Sequence, residues 1–137
     1  MQLHNPSTGG ALVLPDDLLW SDEHAWAPPV ATTTYLITGS LLVQSATRQA
    51  GRPITLVGSA DMAWVTRSMV RTLYAWTAEP VGAITGRFTL TLQDSRSFTV
   101  AFRHAETPIE AEPITGFPAR SDTDFYRITL RLMQLST

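Results

Sequence analysis

The chain has 137 residues, 44% of them hydrophobic and 16% charged, which is the composition of one globular domain and excludes a disordered or low-complexity protein. A formal net charge of −2 exerts no general pull on phosphate backbones, so sequence-specific nucleic-acid binding is not expected, and the absence of cysteine removes disulfides, thiolate nucleophiles and sulfur-ligated zinc together. The first residues lack the cationic and apolar segments of a secretion signal, and no apolar run reaches the roughly 20 residues that cross a bilayer, so a cytoplasmic origin without a membrane partner is expected.

Residues 1–32 are rich in proline, acid and tryptophan. Prolines fix the backbone and cannot join a central ladder, so this stretch is predicted to be an N-terminal arm lying over a separate domain at 33–137. Trp20 and Trp26 are its candidate anchoring contacts. Residues 33–45 are β-branched and aliphatic and too weakly periodic for a helix, which predicts one long strand with Gly39 as a bend or bulge. After a turn at 46–51 comes the glycine-fenced run at 51–58, GRPITLVG. It lacks the Gly-Lys-Ser/Thr ending of a phosphate loop and no helix follows it directly, so it is predicted to be an ordinary strand opened by Pro53.

Thr66 is a suitable N-cap, with Val65 placed to staple onto Val70, and Met69, Val70, Leu73, Tyr74 and Trp76 recur on one face of a helix that Pro80 stops. From Phe88 the period becomes two. Phe88, Leu90 and Leu92, then Phe98, Val100 and Phe102 beyond the turn at Asp94-Ser95-Arg96, predict a β-hairpin. A strand at 109–114 ended by Pro113 and Gly116, a loop at 117–122 and a last strand at 125–135 complete the chain, with Arg127, Thr129 and Arg131 on the face opposite Tyr126, Ile128, Leu130 and Leu132. The predicted fold is mainly β, a β-sandwich with one α-helix packed on it.

Candidate chemistry is sparse. His104, Glu110 and Glu112 could in principle offer a nitrogen and two same-face carboxylates to a divalent ion, as a small binding module or metal-dependent hydrolase would need, but acids beside a proline-containing turn are ordinarily solvated and guard a sheet edge. No Gly-x-Ser-x-Gly elbow is present, and Asp22, Glu23 and His24 lie in the expected arm, where rigid placement of an acid and base is least served. Arg103, Arg127 and Arg131 could line an anion-binding face or simply cover apolar neighbours with their stems. No catalytic residue, cofactor or resident metal is expected. The long, lightly charged strand at 33–45 is instead expected to leave apolar surface or open backbone edge that subunit pairing would hide.

The order of these elements, from the strand at 51–58 through Trp64, the helix at 66–77, the hairpin at 88–104 and the strands at 109–113 and 126–132, resembles the distal tail proteins of long-tailed bacteriophages. The resemblance covers residues 33–135 and implies a tail-tube-like β-sandwich that forms a ring, hexameric in that family, at the tail tip. Its implied partners are copies of itself, the tail tube protein, the baseplate hub and tail fibre proteins, with DNA passing through the lumen, and its implied location is the virion. Tail terminator and tube subunits share related folds. Many distal tail proteins carry a further galectin-like domain; this sequence closes with its last strand, so sugar binding is not expected. On this reading Tyr35, Ile37, Leu41 and Val43, together with Thr89, Thr91, Arg127 and Arg131, are the candidate subunit contacts.

Overall fold

The computed structural model describes residues 1–115, 118 and 121–136. Gly116, the expected end of a strand, and half of the expected loop at 117–122 lie outside the described residues. The fold is mainly β with antiparallel pairing throughout and a single described helix, consistent with the predicted class. In chain order the strands are β1 (Gln2–Asn5), β2 (Gly10–Val13), β3 (Leu19–Trp20), β4 (Pro29–Tyr35), β5 (Leu41–Thr47), β6 (Pro53–Val57) and β7 (Val65–Thr66). The helix α1 (Arg67–Thr77) precedes β8 (Phe88–Thr91), β9 (Ser97–Phe102), β10 (Ile109–Pro113) and β11 (Phe125–Ser136).

The 12-residue β11 is the spine of the large sheet. Leu132 pairs with both Phe102 of β9 and Ile54 of β6, whereas Leu130 pairs with Ile109 of β10 and Leu56 of β6. A strand has only two sides, so β9 and β10 share one side of β11 as a single line interrupted by residues 103–108. By the same register, β6 and β7 share the other side, interrupted by residues 58–64. The order across the sheet is then β2, β1, β8, β9 with β10, β11, β6 with β7, and β3.

This sheet must curl. Seven flat positions would hold the outer strands about 29 Å apart at ~4.8 Å per strand, yet the six steps from Val13 to Leu19 reach at most roughly 21 Å. Leu14 and Leu18, buried in that link, seal the seam, and Trp20 on β3 meets Phe98 of β9 edge-on at 5.7 Å. The inward face carries Leu3, Ile54, Leu56, Phe88, Leu90, Val100, Phe102, Ile128, Leu130 and Leu132, all buried. Helix α1 turns Val70, Leu73 and Trp76 into the same core, where Trp76 stacks on Phe88 at 5.5 Å and Phe88 meets Phe102 edge-on at 5.2 Å. Thr66 occupies the N-cap with an extended backbone, but its hydroxyl pairs with that of Ser68 and not with a helix amide.

Two expectations need correction. The first twenty residues are not an arm. β1 lies between β2 and β8 inside the sheet, with Leu3 and Asn5 turned inward. Of the prolines in the expected arm, Pro6 and Pro15 fall in the connections and cost the ladder nothing, and Pro29 opens β4. The second correction concerns residues 33–45, which form a hairpin and not one long strand. Gly39 takes φ +86°, the left-handed geometry that lets the chain reverse between β4 and β5, and Leu36 and Ser40 close the turn through a backbone hydrogen bond of 2.8 Å. The boundary expected at residues 32 and 33 therefore falls inside β4.

Candidate functional site

The β4–β5 hairpin forms a two-stranded sheet of its own, registered from Pro29 opposite Thr47 to Tyr35 opposite Leu41. Threonine, valine and tyrosine favour the extended backbone, which accounts for the local conformation. Every residue from 27 to 49 is exposed, so the hairpin stands out from the body. Its root is fixed. The Arg48 amide donates to the Pro28 carbonyl at 2.8 Å, the Arg48 guanidinium lies over the Trp26 ring at 5.8 Å, and the Gly51 amide donates to the Gln134 carbonyl at 2.8 Å.

Residues 25–47 contain no aspartate, glutamate, lysine, arginine or histidine. One face of the hairpin shows Ala31, Thr33 and Tyr35 opposite Ser45, Val43 and Leu41, and the other shows Val30, Thr32 and Thr34 opposite Ala46, Gln44 and Leu42. Of the expected contact residues, Tyr35, Leu41 and Val43 are thus brought together on one face, while Ile37 projects fully exposed from the turn. An isolated two-stranded hairpin is marginal in water, and an uncharged one with open edges invites pairing.

Thr89, Thr91, Arg127 and Arg131 lie elsewhere, on the outer face of the large sheet. Thr89 sits between His4 and Thr99, and the Thr91 hydroxyl is 3.2 Å from that of Ser97. Arg127 donates to Glu112, and Arg131 pairs with Glu110 at 3.2 Å while donating to the Thr107 carbonyl at 2.8 Å. Arg103 pairs with Glu106 at 3.3 Å and also donates to the Thr55 hydroxyl. The two glutamates proposed as ligands are therefore engaged by arginines, and His104 is an exposed loop residue apart from them. Among the described residues no group of three or more histidine, cysteine, aspartate or glutamate side chains is placed to hold a metal.

Trp20 and Trp26 hold different places. Trp20 is buried core, with Arg52 over its ring at 4.6 Å and Arg96 at 5.6 Å, whereas Trp26 is half-buried at the hairpin root. Asp22 accepts from the Thr55 amide at 3.0 Å and hydroxyl at 2.8 Å, and so extends the β3 attachment to β6. Glu23 accepts from Arg96 at 2.7 Å, a hydrogen bond that, with the one to Asp94, pushes the Arg96 guanidinium pKa further above its ordinary value. These acids serve the fold.

Comparison with family models, curated proteins and solved structures returns no match.

One feature is missing from the expectations drawn from the sequence. The loop at 58–64 pushes Trp64 to the surface, 42% exposed, where its ring lies 5.6 Å from that of Phe125, 49% exposed, at the start of β11. Ala63 before it takes φ 60°, a left-handed conformation that costs an alanine about 1 kcal/mol or more. The Asp17 carboxylate holds it there by accepting from its amide at 3.1 Å. The available sequence signal was a tryptophan between a strand and a helix, outside the periodic pattern of either.

Proposed function

We propose that this protein is a structural subunit that assembles with copies of itself into a ring at the distal end of a phage tail tube, six-membered by the resemblance of its element order. In that ring it joins the tube protein to the baseplate hub and tail fibre proteins in the virion, with the lumen open to DNA. One observation carries the reading. The β4–β5 hairpin offers nineteen exposed residues, Pro29 to Thr47, without one formal charge. That number approaches the roughly 20–30 residues that one partner contributes to a standard interface. A monomer would keep this surface in water at the risk of edge-to-edge aggregation, whereas a ring covers it.

Light scattering after size exclusion, across a concentration series up to the millimolar range, tests the proposal together with electron micrographs of the heaviest fraction. A closed oligomer of defined mass, seen as rings, is the expected result. A strict monomer over the whole range, or an open-ended aggregate without a preferred mass, overturns it.

A further inference from the structure

We infer that the exposed aromatic pair Trp64 and Phe125 is the seat that receives the β4–β5 hairpin of a neighbouring copy. This inference rests on the self-assembly reading and adds the acceptor surface that the reading leaves open.

The placement of the two surfaces along β11 gives the first reason. The hairpin root is tied to Gln134 near the end of that strand through Gly51 and Arg52, and Phe125 begins it. Nine residue steps separate them, about 30 Å at ~3.3 Å per residue. The hairpin does not fold back along that distance, because all of its residues are exposed. Each copy therefore carries a donor at one end and an unfilled acceptor at the other. This is the polarity of a heterologous contact, which closes into a ring where the rotation permits.

The second reason is the build of the acceptor. The Trp64 indole Nε1 donates to the Ala60 carbonyl at 3.0 Å, so its orientation is fixed and its one polar atom is already satisfied. Ala63, immediately before it, takes φ 60°, a sparsely populated backbone conformation of the kind that motivates a functional reading of the loop. Fixed tryptophan and phenylalanine rings are the side chains that anchor interfaces at small cost in rotamer freedom. Of the other large apolar residues exposed on the body, Val13, Leu19, Val81 and Ile84 are aliphatic, and Tyr74 on α1 has its hydroxyl donating to the Ile109 carbonyl at 3.4 Å, whereas Trp64 and Phe125 present two rings side by side.

The third reason is chemical match. The hairpin brings Tyr35, Leu36, Ile37, Leu41, Leu42 and Val43, all exposed, and no charge that a dry aromatic seat would have to desolvate. A second copy is the one partner already certain to be present at equal concentration with that surface.

Complementation of two defective variants tests the inference. Trp64→Glu damages the seat, and the double variant Ile37→Glu with Leu41→Glu damages the hairpin. Both should keep the far-ultraviolet circular dichroism of the wild type. At a concentration where the wild type assembles, each variant alone is expected to stay monomeric. A 1:1 mixture is expected to give a dimer of about 30 kDa, twice the 15.0 kDa chain, because one intact seat still meets one intact hairpin. If Trp64→Glu fails to fold, Phe125→Ser takes its place. Assembly of the seat variant at the wild-type concentration, or a mixture of folded variants that stays monomeric, overturns the inference and leaves the ring reading standing. A wild type that never assembles overturns the ring reading and this inference with it.

Discussion

Gly86 and Gly9 share a left-handed backbone, at φ +69° and +73°, but not an environment. A Cβ on Gly9 would meet nothing within 4 Å, whereas one on Gly86 would lie 2.6 Å from the Pro80 carbonyl oxygen and 2.8 Å from the Val81 Cα. Those atoms belong to the loop after α1, which is cross-tied by the Glu79 carboxylate. Glu79 accepts from the Asn5 side chain at 3.1 Å and from the Gly86 amide at 3.4 Å, so the loop joins the β1–β2 hairpin to the end of the helix. Gly9→Ala should cost about 1–2 kcal/mol, the penalty of the left-handed conformation alone. Gly86→Ala adds a clash with backbone that cannot move cheaply, bringing the loss to roughly 3 kcal/mol or more. Urea unfolding of both variants decides this, and equal midpoints would show that the loop yields to the methyl group.

At the scale of elements, the hairpin and the body should be energetically separate. The Pro28 carbonyl and the Arg48 amide are 2.8 Å apart at the root, so a link of a few glycine and serine residues can replace residues 29–47 without moving either end. The melting temperature of the shortened protein should stay within a few degrees of the wild type while self-association is lost. A large fall in melting temperature would instead make the hairpin part of the body. How much of this was legible in the sequence depended on length of pattern. The alternation through Phe88 to Phe102, the apolar stripe of α1 and the strand opened by Pro53 are long or well punctuated, and the structure holds all three. β1 was illegible because four residues, QLHN, are too few to reveal a period, and the prolines nearby pointed the other way. The hairpin was half legible: its β-branched and aliphatic residues announce an extended backbone, but Gly39 reads as a bend within one strand, whereas Thr38, Gly39 and Ser40 supply the polar residues and left-handed glycine of a reversal. The aromatic seat depends on two rings 61 positions apart, Trp64 and Phe125, and only the pairing of β7 with β11 brings them together.

For the whole molecule, two different surfaces compete as the subunit contact, and their chemistry sets opposite responses to salt. The outer face around Arg127 and Arg131 is a ladder of ion pairs with Glu112, Glu110 and Glu106, exposed enough for mobile ions to screen. If assembly ran through that face by exchanging those partners between copies, raising sodium chloride from about 0.05 to 0.5 M would shrink the Debye length from roughly 14 to 4 Å and weaken association. The hairpin is uncharged and Trp64 and Phe125 are aromatic rings, so burying them removes apolar area from water. Association through them should be indifferent to sodium chloride and should tighten in sulfate, which is excluded from protein surfaces and favours burial. It should also carry a negative heat-capacity change, measurable from the temperature dependence of the enthalpy of dilution. Sedimentation velocity at matched protein concentration in the two salts separates the cases. An oligomer fraction unchanged by chloride and raised by sulfate assigns the contact to the hairpin. Dissociation in chloride would move the contact to the arginine ladder and leave the hairpin free for a different partner.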